Sequence, residues 1–235
     1  MGIVQANRPD IMLIDIEGID GTGKGTQARL LCDRLNRAGV SASLVSFPRY
    51  DATLFGRAVG EFLNGQFGSL AQVHPFLVSL LFAGDRFESK PFLLDAMHHS
   101  HVVVLDRYVA SNVAHQASKL DGTARADLTS RILQIEFDVF ALPRPDMVLL
   151  LDLPVAVAQE LIAKKGARSY TDQKADIQEA DSLYLERVRD VYCELARSEP
   201  DWQIVAGCDA DGLRPIFAIA DEIWERVEKR RRHGS

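Results

Sequence analysis

Short runs of consecutive apolar residues alternate along this chain with longer stretches whose apolar positions recur every three or four residues. The runs Ile11–Ile16, Ser43–Phe47, Val102–Leu105, Met147–Leu151 and Gln203–Val205 have strand length. Several are apolar on successive positions, the pattern of strands covered on both faces, as in a parallel sheet. Between them a helical period runs through Thr26–Ala38, Leu54–Leu63, Pro75–Phe87, Ser111–Lys119, Leu128–Phe140, Val155–Lys164 and Glu179–Ala196, with a last helix over about Leu213–Val227. This alternation predicts an α/β fold: a doubly wound, five-stranded parallel sheet with helices on both faces. No internal repeat and no long Gly/Ser or Pro linker interrupts it, so residues 1–235 read as a single domain. Two segments break the pattern. Lys165–Ala175 is polar, charged and Gly-containing between two helices, and reads as a short lid. The tail Glu228–Ser235 is basic with no apolar face, and reads as a solvated helix end.

Composition narrows what such a domain does. At 47% hydrophobic the chain can bury a full core, and its 33 acidic against 27 basic residues give a net charge of −6. That balance argues against a general binder of nucleic acid or acidic membrane, so an anionic ligand needs a local basic site. The cysteines, Cys32, Cys193 and Cys208, have no metal-ligand or redox spacing and read as free thiols in a reducing compartment. The longest apolar stretch, Met147–Ala158, is broken by Asp152 and Pro154 and is too short to cross a bilayer. No secretory leader pattern is read, and the expectation is a soluble, cytoplasmic protein with no nucleic-acid or membrane partner.

The first strand runs into Glu17 and then Gly18-Ile19-Asp20-Gly21-Thr22-Gly23-Lys24-Gly25-Thr26. This is G-x-x-x-x-G-K with the hydroxyl residue one place late, between a buried strand and an amphipathic helix. Glycines let the backbone curl so that successive N–H groups face phosphate oxygens. The following helix adds its free N–H groups and the positive end of its dipole. Lys24 supplies a point charge for the β- and γ-phosphates. Gly18, Gly21, Thr22, Gly23, Lys24, Gly25 and Thr26 are therefore the expected ATP-binding set. Gly25 stands where many such loops carry the Mg²⁺-ligating hydroxyl, so magnesium is expected on phosphates, waters and a carboxylate elsewhere.

Three further segments bear on the acceptor. Phe47-Pro48-Arg49-Tyr50 follows the second strand, at the carboxyl end where open α/β sheets bind ligands. In Leu81–Arg86, Phe82 and Arg86 are four apart on a helix and share a face, so one can stack on a planar base while the other donates to its edge. Asp106 ends a buried strand, placed for a magnesium-bound water, and Arg107 follows as a clamp for an anion. Ser111, Asn112, His115 and Gln116 come next on a helical pattern.

Taken in order over about Ile11–Val205, these segments resemble the thymidylate kinase family, above all Asp106-Arg107-Tyr108 followed by Ser111-Asn112 and Ala114. The resemblance implies a kinase that moves the γ-phosphate of ATP to dTMP with Mg²⁺, working as a homodimer packed through helices, with Pro75–Leu81 a candidate contributor. It implies Phe47, Arg49, Tyr50 and Arg107 at the acceptor phosphate, Phe82 and Arg86 on thymine with Arg86 at O4, and Ser111 and Asn112 near the base edge. Gln116 joins them in the dTMP-binding set, and Asp20 accepts from the 3′-hydroxyl. Glu179 points to the acceptor or its metal, Asp106 holds the metal through water, and the adenine lies near Ala206–Asp211. Where some members carry a basic residue in the phosphate loop, this chain has Gly21, so the catalytic charge is expected from Arg168 of the lid, with Lys165 second. Catalysis is thus assigned to Lys24, Arg107, Arg168 and Asp20. The chain departs from the family at His115, where Tyr or Phe usually lies beside the sugar 2′ carbon. Two alternatives stay open: a kinase of another monophosphate such as dUMP, UMP or AMP, and a catalytically inactive nucleotide-binding regulatory module. Arg86 cannot satisfy an adenine amino group, which favours thymine or uracil. His98, His99 and His101 read as surface histidines, and Glu17 as structural.

Overall fold

The computed structural model describes residues 11–164, 178 and 181–233. The segment read as a lid, Lys165–Ala175 with Arg168, lies outside the described residues, as does Glu179. Five strands, β1 (Met12–Glu17), β2 (Ala42–Ser46), β3 (Val102–Asp106), β4 (Met147–Asp152) and β5 (Trp202–Ala206), form one parallel sheet in the order β2-β3-β1-β4-β5. The helices are α1 (Lys24–Arg37), α2 (Leu54–Leu63), α3 (Pro75–His99), α4 (Val109–Ala117), α5 (Gly122–Leu133), α6 (Val155–Ala163), α7 (Ser182–Ser198) and α8 (Ile216–His233). A short antiparallel pair, β6 (Cys208–Asp209) and β7 (Gly212–Leu213), follows β5 in the stretch expected to be a loop.

Strand β1 is the middle strand, and its alternation sets the two faces. Ile14 and Ile16 pack with Leu31 and Leu35 of α1 and Ile223 and Val227 of α8. Leu13 points the other way, into a cluster with Phe47, Leu93, Leu105 and Tyr108. Helices therefore cover both faces, as the consecutive apolar runs require. The order of strands places the carboxyl ends of β1, β2 and β3 side by side, and with them the loops after Glu17, Ser46 and Asp106.

Three boundaries differ from the sequence reading. Helix α3 does not stop near Phe87 but runs to His99 through Pro91. An interior proline removes one helical hydrogen bond. Here Ser89, Leu93 and Met97 prolong the buried face beyond Arg86, and this packing carries the helix past the gap. The helix expected over Leu128–Phe140 begins earlier, at Gly122, and changes at Gln134–Val139 to a π-helical turn. The described part of the basic tail continues α8, where Arg230 pairs with Asp201 and Arg231 with Glu228. His98 and His99 are exposed at the end of α3, and no metal-holding cluster exists among the described residues.

Leu13, Asp15 and Glu17 share one face of β1, and both carboxyls are fully buried. Glu17 accepts from Tyr108 N (2.8 Å), Ser111 N (2.9 Å), Ser111 Oγ (2.7 Å) and the Tyr192 hydroxyl (2.8 Å). It is a structural carboxylate, as expected. No donor reaches Asp15 among the described residues. Burial, and next the Glu17 carboxylate, push Asp15 well above the usual carboxylate range. Because Glu17 is filled by donors, the proton resides on Asp15. The folded state therefore holds a proton that the unfolded chain releases above about pH 4, and stability falls as pH rises from there toward the folded pKa. Asp15→Asn removes this dependence. Its stability relative to the parent is expected to rise by about 1.4 kcal/mol per pH unit above pH ~4 in urea unfolding. A difference independent of pH would show Asp15 ionised in the native protein.

Candidate active site

The turn from β1 to α1 wraps around the carbonyl of Ile19. Lys24 Nζ donates to it at 2.6 Å and Thr22 Oγ1 at 3.0 Å. Lys24 opens α1 after Gly23, so the unpaired N–H groups of the first turn face the loop. Burial lowers the Lys24 pKa to about 8, with Arg107 adding to the shift and Asp20 and Asp106 opposing it. Two glycines have tight reasons. A Cβ on Gly21 would lie 2.2 Å from the carbonyl oxygen of Ala158, so α6 leaves this position no side chain of any charge. A Cβ on Gly25 would lie 2.9 Å from Asp106 Oδ2: the missing side chain is what admits the carboxylate at the end of β3. Thr26 is exposed in the first turn of α1.

Beside this loop lies a cleft of about 480 Å³. Ten of the sequence-predicted residues line it: Asp20, Phe47, Tyr50, Phe82, Arg86, Arg107, Ser111, Asn112, His115 and Gln116. Pro48, Leu63 and Gln178 complete the wall. The Phe47–Pro48 peptide is cis. Arg49 is not among the lining residues. Its backbone N–H donates to Asp85 Oδ2, and its guanidinium lies 4.0 Å from the ring centre of Phe92. Asp85, fully buried on α3, also accepts from Thr53 Oγ1 and so ties the loop after β2 to the helix that carries Phe82 and Arg86.

At the far end the cleft is organised by a carboxylate. Arg86 is 2% exposed and Glu136, in the π-helical turn, is fully buried. Glu136 accepts from Arg86 Nε at 2.7 Å and from Arg86 Nη2. It also accepts from Asn112 Nδ2 at 2.8 Å, and the second hydrogen of that amide goes to the Ser79 carbonyl at 3.0 Å. Burial opposes the Arg86 charge, but Glu136 outweighs it and holds the guanidinium above its usual range. With Nε and one hydrogen of Nη2 occupied, Arg86 keeps the Nη1 hydrogens and the second Nη2 hydrogen as donors, and its side chain lines the cleft. With both amide hydrogens spent, the Asn112 amide has one possible orientation, and its buried Oδ1 is an acceptor without a partner among the described residues. One helical turn on, Gln116 Oε1 accepts from Lys119 Nζ at 2.9 Å, and Gln116 Nε2 is a buried donor without a partner among the described residues. The cleft thus offers a donor, an acceptor and a donor, carried by Arg86, Asn112 and Gln116.

The other end is charged. Arg107 has a left-handed backbone (φ 69°), which turns the chain sharply between β3 and α4. Its Nη2 pairs with Asp20 and its Nη1 donates to Ser111 Oγ at 3.2 Å. Ser111 in turn donates to Glu17, so its hydroxyl sits by the basic end rather than by Arg86. His115, 5% exposed, has its Nδ1 3.0 Å from the Tyr184 hydroxyl, which donates its own hydrogen to the His115 carbonyl at 2.9 Å. Burial chiefly lowers the His115 pKa to about 3, so the ring is neutral.

Sequence reasoning missed Glu136, Asp85 and Gln178. Glu136 left a trace: it falls four residues after Ile132, on the buried side of its helix, where a charge needs a partner.

Comparison with known proteins follows the same lines. The family model described as thymidylate kinase matches residues 16–210. A thymidylate kinase of Mycobacterium tuberculosis is 34% identical over 212 residues, 89% of this chain and 97% of that protein. The thymidylate kinase of Homo sapiens is 33% identical over 216 residues, covering 90% of this chain and 87% of the human protein. A solved thymidylate kinase structure from Candida albicans superposes with a TM-score of 0.70 at 25% identity, over 94% of this chain and 93% of that one.

Removing one member of a buried ion pair leaves the other charge uncompensated. Glu136→Ala is accordingly expected to cost about 3–5 kcal/mol in urea unfolding. A loss below about 1 kcal/mol would mean that water reaches Arg86 and that the pair does not organise the cleft.

Proposed function

Because this chain belongs to the thymidylate kinase family of nucleoside-monophosphate phosphotransferases, we infer that it transfers the γ-phosphate of ATP to dTMP, giving dTDP and ADP. One observation carries the choice of acceptor: the donor, acceptor and donor offered by the Arg86 guanidinium, Asn112 Oδ1 and Gln116 Nε2. Thymine presents the complement on one edge, the O4 acceptor, the N3–H donor and the O2 acceptor. Cytosine carries an amino donor in place of O4, and adenine an amino donor beside a ring acceptor. Either base would set donor against donor at Arg86 and acceptor against acceptor at Asn112. Phe82 lies on the same helix face as Arg86 and supplies a ring for stacking. Uracil has the same edge as thymine, so dUMP belongs in every test.

The reaction asks for positioning and positive charge, because charge spreads over the oxygens of the migrating group. No general base is required, since a nucleotide phosphate is already ionised near neutral pH. We assign the triphosphate to the loop Gly18–Thr26 and Lys24, and the acceptor phosphate to Arg107, with Tyr50 and Phe47 beside it. Asp20 holds Arg107 in place and is the acceptor for a sugar hydroxyl. Asp106 is the residue that would hold Mg²⁺, through water. Its carboxylate occupies the space that Gly25 leaves open, and hard oxygen donors suit that ion. When bound, magnesium neutralises charge on the phosphates. Since Gly21 has no room for a basic side chain, the remaining charge must come from elsewhere. Arg168 stays our choice for it, and Glu179 our choice for a carboxylate facing the acceptor, both from sequence.

We also propose a homodimer. Leu77, Phe87 and Leu94 are 57%, 50% and 46% exposed, and they form one stripe of α3 at seven- and ten-residue spacings. Free thiols at Cys32, Cys193 and Cys208 suit a reducing cytoplasm, and none of the described helices is long and apolar enough to cross a membrane.

The decisive assay follows ADP formation from ATP and Mg²⁺ with dTMP, dUMP, UMP, AMP and dGMP in parallel. Turnover of dTMP is expected to exceed that of AMP and dGMP by about a hundredfold or more. Preference for a purine would overturn the acceptor assignment. Lys24→Ala and Arg107→Ala are each expected to lose about a hundredfold or more in kcat, and full turnover in either would remove that residue from catalysis. Phe87→Glu is expected to shift the protein from dimer to monomer in sedimentation. An unchanged dimer would place the interface elsewhere.

A further inference from the structure

The transfer reaction as described makes no use of His115, the most unusual polar side chain in the cleft. Its position along α4 indicates what it faces. Asn112 and Gln116 lie one turn apart and meet the base edge. Ser111 and His115 lie one turn apart on the neighbouring row, and Ser111 touches Arg107. His115 therefore faces the part of a nucleotide between base and phosphate, which is the sugar.

The ring's hydrogen bonding is determined by its neighbour. The Tyr184 hydroxyl has a single hydrogen, and it goes to the His115 carbonyl. The 3.0 Å contact with Nδ1 can then be made only by a proton on Nδ1. A neutral imidazole protonated on Nδ1 carries a bare lone pair on Nε2. Nε2 makes no hydrogen bond among the described residues, and His115 lines the cleft. The charged groups felt by the ring are Asp20, Arg107, Lys24 and Lys119, and burial prevails over all of them in keeping it neutral. Tyr192 stands edge-on to the ring at 6.4 Å. The result is a rigid, neutral acceptor that the deoxyribose of dTMP, lacking a 2′-hydroxyl, need not use.

We propose that His115 Nε2 accepts a hydrogen bond from the 2′-hydroxyl of a ribose, so that the site phosphorylates ribonucleoside as well as deoxyribonucleoside monophosphates of thymine and uracil. The proposal rests on reading the cleft as the site of a pyrimidine monophosphate. A buried hydroxyl with no partner costs a substrate about tenfold or more, and an acceptor in place removes that cost. The 3′-hydroxyl is common to both sugars, so the ratio of ribo to deoxy acceptor isolates the 2′ contact.

The test measures kcat/KM for ribothymidine 5′-monophosphate and for dTMP, with ATP and Mg²⁺, on the full chain. The parent is expected to use the two within about tenfold of each other. His115→Leu, which removes the acceptor without adding a larger ring, is expected to lower the ribo-to-deoxy ratio about tenfold or more. His115→Gln, whose amide oxygen reaches a position like that of Nε2, is expected to keep the parent's ratio. Discrimination against the ribonucleotide by more than tenfold in the parent would overturn the proposal, even where a variant fails to fold. So would a ratio unchanged by His115→Leu. Turnover of dTMP with the ribonucleotide excluded defeats this proposal alone, whereas no turnover of dTMP defeats the acceptor reading and the proposal with it.

Discussion

The buried carboxylate of Glu17 is the constraint on which the rest of the site depends. It ends the central strand in a place without water, so its oxygens must be filled by the protein. The donors that fill it are the backbone N–H groups of Tyr108 and Ser111, the Ser111 hydroxyl and the Tyr192 hydroxyl. Two of these belong to the first turn of α4, which is thereby docked on β1 at one register. A helix held at one register presents a defined face, and that face carries Asn112, His115 and Gln116 into the cleft. The same docking leaves Arg107 at a sharp left-handed turn, from which it reaches Asp20 of the phosphate loop. One acid thus sets the spacing between the charged end of the cleft and the end organised by Glu136.

Glu136 does for the base what Glu17 does for the helix. It consumes two donors of Arg86 and one of Asn112, and by consuming them it decides which atoms are left over. A guanidinium on its own would offer donors in several directions, and an amide on its own could turn either way. Tied to Glu136, the guanidinium has fewer donors left to present, and the amide, held also by the Ser79 carbonyl, keeps one orientation. Specificity here comes from using up alternatives before any ligand arrives.

Much of this was legible in the sequence, for physical reasons. Strands covered on both faces must be apolar at successive positions, so the sheet announced itself. A phosphate loop needs glycines, a lysine and a helix in fixed order, so Gly18–Thr26 did as well. Phe82 and Arg86 were legible because a helix of either length places residues four apart on one face. What stayed hidden depended on packing between distant segments. The helix read as ending at Phe87 runs on through Pro91, because a buried face carries α3 beyond it. Arg49 had the right charge in the right loop, yet its guanidinium lies over the ring of Phe92 and it is not among the residues lining the cleft. Glu136 drew no attention because its partners are 50 and 24 residues away, although its spacing from Ile132 puts it on the buried side of its helix. The contact of His115 Nδ1 with the Tyr184 hydroxyl was invisible for the same reason, since Tyr184 lies on another helix.

Those separations bear on how the molecule comes apart. The phosphate loop is local: one strand, one turn and one helix hold it together. The network of Arg86, Glu136 and Asn112 exists only while α3, α4 and the π-helical turn after α5 are assembled at once. If α5 and that turn detach, Arg86 and Asn112 lose their common partner while the loop around Ile19 keeps its own contacts. A partly opened molecule would then still grip phosphate but would no longer distinguish one base from another. On the proposed reading of the cleft, such an opening would separate the two properties, with discrimination lost while phosphate binding persists.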